Sequence, residues 1–208
     1  MNYELLLSFV IATSALACSP GPDNIYVLMQ SITNGKQYGL ATVAGLITGC
    51  IVHTTLVAFG VSAIIKENDN LYFAIKLFGA LYLFYLAYKV FKSNTSITLN
   101  NSNIPKKSLI QLFKQGFIMN VLNPKVSIFF LAFFPGFLFS NTLSTVTQFY
   151  VLGFLFMAVS LFIFSTIAIL AGTISDYIKQ NKNIGIVLKW LQIIVFVGIA
   201  FFILISEK

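Results

Sequence analysis

Asp23 and Lys125 are the residues whose type and position most suggest chemistry, because each is an ionisable group set inside a long apolar stretch. Asp23 is the only acid well inside any such stretch, within Ser19-Pro20-Gly21-Pro22-Asp23-Asn24, and Lys125 follows Asn123-Pro124. Ionisable groups at membrane depth are costly, and those found there usually handle ions or substrates. Both lie at proline breaks. Proline frees backbone carbonyls that hydrocarbon cannot satisfy, so a break survives only against protein or a water-filled cavity. Counted along a helix from the nearer polar boundary, Asp23 is about 10 Å deep and Lys125 about 15 Å. At comparable depths an ion pair would lower the cost of both. Freed amides or Lys125 could then hold a carboxylate, while Asp23 or freed carbonyls hold an ammonium or a proton. Simpler roles stay open. Asp23 could cap the helix that resumes after the break, and Lys125 could snorkel toward the headgroups.

His53, the only histidine, shares an arc of roughly 80° on a helical wheel with Gly45, Gly49, Leu56 and Gly60. Glycines on one face let another helix approach closely. His53 is therefore either a buried side chain satisfied by a neighbouring hydroxyl or carbonyl, or a proton carrier lining a cavity.

The elements that must position these residues are membrane spans. Of 208 residues, 58% are hydrophobic and only 9% charged, too few polar groups to cover a soluble globule. Six apolar stretches of helical spanning length can be traced: 5–30, 39–65, 71–91, 115–139, 148–173 and 184–205. The longest polar segment, 92–114, separates three spans from three, giving halves of about 1–91 and 115–208 within one membrane domain. An odd number of spans per half makes the second half enter the membrane inverted, a common plan in secondary transporters. The first span of each half carries a break, at Pro20-Gly21-Pro22 and at Asn123-Pro124. The expected fold is thus all-α and integral to the membrane, with six transmembrane helices as two inverted three-helix halves whose first helices are broken.

Charge sets the expected orientation. Lys36, Lys89, Lys92, Lys106, Lys107, Lys114, Lys179, Lys182 and Lys189 fall on one side, and Lys66, Lys76 and Lys208 on the other. Nine lysines against three place segment 92–114 in the cytoplasm and both termini outside. The net charge of +7 is explained this way, by loops beside a lipid bilayer, and no nucleic-acid partner is expected. The apolar start also resembles a signal peptide, with Ala15-Leu16-Ala17-Cys18 faintly like a lipoprotein cleavage site. The preceding Met1-Asn2-Tyr3-Glu4 lacks the required positive charge.

Several function classes are disfavoured. There is no phosphate-cradling GxxxxGK[ST] loop for direct use of ATP, no second intramembrane acid for an aspartyl protease pair, and no HExxH. One acid and one histidine make a poor cation site, which counts against metal export. The chain is not expected to be an enzyme or to need a cofactor. The principal alternative to a transporter is a thiol-redox conduit, because Cys18 sits beside the first break. Such a conduit needs a second cysteine at the matching break, and the other cysteine, Cys50, lies on the second span instead.

Ser19-Pro20-Gly21-Pro22-Asp23-Asn24, the spaced glycines from Gly35 to Gly49, and the stretch Phe117 to Phe137 containing Asn123-Pro124-Lys125 and Phe133-Phe134-Pro135 together resemble the LysE/RhtB family of amino-acid exporters. The motifs cover roughly residues 5–138; beyond them the resemblance rests on hydropathy and span count. It implies a six-helix inner-membrane exporter of amino acids or their derivatives, driven by an ion gradient for which the proton is the natural candidate. It also implies that Pro20, Gly21, Pro22, Asp23, Asn24, Asn123, Pro124 and Lys125 line the transport path, and family members often carry a histidine like His53. The particular amino acid and any homo-oligomeric assembly are not legible in the sequence.

Overall fold

Prolines and caps set where each helix starts. In the computed structural model, which describes residues 2–67, 69–93, 107–181 and 183–205, α1 (Tyr3–Cys18) begins where the Asn2 side chain accepts the N–H groups of Glu4 and Leu5. It stops at Ser19-Pro20-Gly21. Helix α2 (Pro22–Asn34) restarts with proline at its first position, where the missing N–H costs nothing, and leaves α1 at 58°. A single residue, Gly35, turns the chain into α3 (Lys36–Leu56); its φ of 102° is one that side-chain-bearing residues rarely adopt. The helix continues through a wider π-helical turn, Val57–Val61, into α4 (Ser62–Glu67). Helix α5 (Asp69–Lys92) returns to the end where α3 starts.

Helix α6 (Leu109–Val121) is followed at 51° by α7 (Pro124–Phe133) and a 3-10 turn, Phe134–Phe137. The chain then runs through α8 (Thr145–Ile169), the short α9 (Ala171–Gln180) and α10 (Ile184–Ile205). Among the described residues four of these segments are long and apolar enough to cross a bilayer, or six where each bent pair counts as one span. A bent span followed by two straight ones occurs twice.

Three boundaries differ from the sequence expectation. The second group starts at Leu109 rather than 115, because Ser108 and Gln111 cap α6 reciprocally: the hydroxyl accepts Gln111 N–H, and the Gln111 side chain accepts Ser108 N–H. Positions 94–106 of the long polar segment lie outside the described residues. Residues 31–38 are helical on both sides of Gly35 rather than a polar link. The polar stretch after the fifth span includes α9, amphipathic enough to rest one face on the bundle.

The end where α2, α5 and α8 finish and α3, α6 and α10 start carries Lys36, Lys89, Lys92, Lys114 and Lys189. Toward the opposite end the core is packed with aromatic rings. Phe9, Phe129, Phe130, Phe133, Phe134 and Phe137 are each no more than 1% exposed, with Phe129 and Phe133 stacked at 4.4 Å and Phe130 and Phe134 at 4.1 Å. The loop closing that end is tied down by buried Gln148, which accepts the N–H groups of Phe139 and Ser140 and donates to the carbonyls of Ser140 and Leu143.

The closest helix crossing is that of α3 on α6. A methyl on Gly45 would run into the Phe113 carbonyl, and one on Gly116 into that of Thr42, both of them backbone. Gly45, Gly49 and His53 form the packed face that the helical wheel indicates. Leu56 and Gly60, on the same arc, do not: Leu56 is largely exposed and nothing lies within 4 Å of a methyl on Gly60. The partner helix bends away after Val121, and the π turn shifts the register beyond Leu56.

Candidate functional site where two broken helices meet

Nearby side chains and backbone take up carbonyls freed at each break. At the end of α1, Asn24 Nδ2 donates to the Ala17 carbonyl at 2.7 Å, and Ser19 N–H folds back to Ala15 and Leu16. At the end of α6, the Asn120 carbonyl lies 3.0 Å from Asn123 N–H and 3.1 Å from His53 Nε2. As the bonding partner of a carbonyl, Nε2 carries the ring proton. His53, 4% exposed and 5.5 Å from the Phe130 ring, is thus a side chain satisfied by a carbonyl, packed behind the break.

The two breaks are joined through Asn123. Its Oδ1 caps α7 by accepting Lys125 N–H at 3.0 Å, and its Nδ2 donates to Asp23 Oδ2 at 2.9 Å. Asp23 is 8% exposed, and its carboxylate is engaged across the bundle. The Lys125 ammonium turns inward: it lies 5.3 Å from the Phe196 ring centroid and 3.4 Å from where a methyl on Gly21 would stand. Asn123 therefore ties Asp23 to the backbone at the start of α7, while the Lys125 ammonium stands over Gly21. The N-termini of α2 and α7 both open here, and such ends favour anions.

These groups surround a small cavity of about 40 Å³, enough for a few waters. Gly21, Pro22, Asp23, Asn24, Asn123 and Lys125 line it, with apolar walls that include Leu46, Ile47, Val126, Phe156 and Phe164. On the other side of the first break lies a larger vestibule of about 560 Å³ near the lysine-rich end, reached by Val90, Ser93, Ile174, Leu188, Lys189 and Gln192. Gly21, Pro22 and Asn24 border both spaces, so the break is the wall between them. The Lys189 ammonium is held by the Ser93 carbonyl at 2.9 Å.

Of the residues singled out from sequence, Gly21, Pro22, Asp23, Asn24, Asn123 and Lys125 are brought together at the cavity. Pro20 borders only the vestibule, and His53 and Pro124 border neither space. Three polar wall residues were not singled out: Asn120, Cys50 and Ser160. Asn120 had a readable signal, a polar side chain within an apolar span three residues before the second break. The two cysteines are separate: exposed Cys18 borders the vestibule and buried Cys50 the cavity.

Comparison with known proteins places this geometry in context. The sequence profile of the LysE type translocators matches residues 14–207, so the similarity continues through the last two spans. The chain is 28% identical over 183 residues to the homoserine/homoserine lactone efflux protein of Salmonella typhimurium, covering 88% of each chain. It is equally similar to the protein of that name from Salmonella typhi. With the leucine efflux protein of Klebsiella pneumoniae it shares 26% identity over 201 residues, 96% of this chain and 93% of the relative. No solved structure matches it.

Proposed function

We propose, from the premise that this chain belongs to the family of LysE type translocators, that it exports amino acids or their derivatives across the inner membrane by secondary-active transport coupled to proton entry. The observation that carries this reading is the meeting of two broken helices around Asp23, Asn123 and Lys125 at a small cavity. A zwitterion presents one carboxylate and one ammonium. Lys125 and the N-termini of α2 and α7 suit the carboxylate, Asp23 suits the ammonium, and the apolar walls suit an aliphatic body.

The spaces suggest a route. The vestibule has room for an amino acid and the cavity does not, so substrate entering from the lysine-rich side passes the Gly21-Pro22 wall only as the broken helices move. In this reading the two spans with their following helices are the inverted halves of one transport domain. Asp23 carries the coupling proton, and His53 holds the end of α6 in place.

The test is a panel of labelled amino acids, headed by homoserine and leucine, offered to inside-out vesicles with and without an interior-acid proton gradient. At least one should accumulate in the lumen, more so with the gradient. If none accumulates while the protein is present in the membrane, export of amino acids is refuted; accumulation indifferent to the gradient refutes only the coupling.

Orientation has its own check. The lysine-rich end is taken as cytoplasmic by the positive-inside rule. Exposed Thr142, in the loop at the opposite end, should react as Thr142→Cys with an impermeant thiol reagent in intact cells, and exposed Ser108 as Ser108→Cys should not. The reverse pattern would invert the proposed topology.

A further inference from the structure

We infer that the vestibule is a binding site of its own, where Lys189 and Gln192 hold the carboxylate of an amino-acid-sized aliphatic acid and the ammonium group plays no part. An aliphatic α-keto acid, the ammonium-free counterpart of an amino acid, therefore occupies it from the lysine-rich side and blocks the way to the break. The site stands on the geometry of the vestibule; its place on the route rests on the transport reading proposed above.

The two spaces differ in charge. Asp23 and Lys125 give the cavity one group of each sign, whereas Lys189 is the only charged one among the described residues that border the vestibule. Its ammonium is held in place: it donates to the Ser93 carbonyl at 2.9 Å and lies 5.6 Å from the centroid of the Phe91 ring. An ammonium has three N–H donors, so the bond to Ser93 leaves two for a ligand. A side chain already fixed also loses little freedom on binding. Gln192 lies three residues further along α10, on the same side of that helix, and borders the same space with an amide that can donate beside the ammonium.

Most of the remaining wall is aliphatic. Leu28 of α2, Ile167 of α8, Ile174 and Ile178 of α9 and Leu188 of α10 all border the space and suit an aliphatic body. No carboxylate borders it among the described residues, so the ammonium of an amino acid finds no counter-charge there and is repelled by Lys189. An acid without that group binds at least as well. It goes no further, because in the proposed mechanism Asp23 receives the ammonium. Selection is thus divided: the vestibule reads the carboxylate and the aliphatic body, and the cavity reads the ammonium.

The protein carries its own reporter. Exposed Cys18 borders the vestibule and buried Cys50 does not, so maleimide labelling of Cys18 in inside-out vesicles, followed by mass spectrometry, reads occupancy without any transport. Leucine and its keto acid, α-ketoisocaproate, should both slow the labelling, the keto acid at no higher concentration. Leucinamide, which keeps the ammonium and the aliphatic body but lacks the carboxylate, should not. Lys189→Gln should raise the protecting concentration by about tenfold or more, the worth of a hydrogen bond to a charged group, and Lys189→Arg should restore most of the protection. The comparison of acid with amide on the wild type stands even if a variant fails to reach the membrane. In the same vesicles the keto acid should raise the KM of an exported amino acid, leave its maximum rate unchanged, and not itself accumulate. The inference is overturned if neither acid slows labelling, if leucinamide protects as well as they do, if Lys189→Gln at normal abundance is protected like the wild type, or if the keto acid accumulates in the lumen. Those results leave amino-acid export standing, whereas vesicles that move no amino acid remove the export reading and leave the labelling result in place.

Discussion

Asp23→Asn should abolish accumulation of substrate against a gradient while labelled-for-unlabelled exchange continues. The substitution keeps the shape of the side chain, and its remaining oxygen can still accept the 2.9 Å hydrogen bond from Asn123, so the link between the two broken helices survives. What disappears is the negative charge and with it the capacity to take up and release a proton. A carrier without its coupling group still cycles with substrate bound on both legs but no longer draws on the ion gradient. A different result identifies a different role. If the carboxylate holds the substrate's ammonium, exchange and accumulation should fall together by about thirtyfold or more, since losing one partner of a buried charged pair costs about 2 kcal/mol or more. Wild-type accumulation at normal expression would leave Asp23 as a structural residue of the break and refute both versions.

Gly45→Ala and Gly116→Ala should each reduce the stability of the folded protein by about 3 kcal/mol, seen as lost membrane abundance and a lower unfolding temperature in detergent. The added methyl meets backbone carbonyls, of Phe113 and of Thr42, so no rotamer change relieves it and the helices must separate. Gly198→Ala is the control: nothing lies within 4 Å of the new methyl, and the change should be neutral within about 0.5 kcal/mol or stabilising. Equal stability of Gly45→Ala and Gly198→Ala would show that the α3–α6 crossing is not the tight seam described. Transport should suffer along with stability, because the same seam holds His53 against the end of α6 and Asn120 against Gly49.

Much of this arrangement was legible in the sequence, for a physical reason. A proline or an acid inside an apolar span is so costly in lipid that its presence already implies a buried break, and the breaks at Pro20-Gly21-Pro22 and Asn123-Pro124 are where the helices bend by 58° and 51°. Gly45 and Gly49 signalled the seam because two helices can approach that closely only without a Cβ. Other features depend on partners that one helix cannot reveal. Leu56 and Gly60 share the wheel position of Gly45 yet are uncovered, because the helix facing them bends away. Ser160 looks like any serine in an apolar helix until its buried hydroxyl is found without a partner. The start of α6 was legible and overlooked, since Ser108 and Gln111 have the spacing of a reciprocal cap. An ion pair between Asp23 and Lys125 was one of the roles open to them. The sequence placed them at similar depth, but only the fold shows Asn123 bonding the Asp23 carboxylate and the Lys125 backbone N–H.

The phenylalanine packing toward the end opposite the lysines bears on the timing of transport. Rings stacked at 4.1 to 4.5 Å move as plates: they cannot shrink, and swinging one out forces its neighbours to follow. On the proposed route, release to the far side would require many small contacts to break at once, as a zip held at every tooth opens only when the whole row parts. If parting the rings is the slowest step, release rather than uptake should set the pace of the cycle.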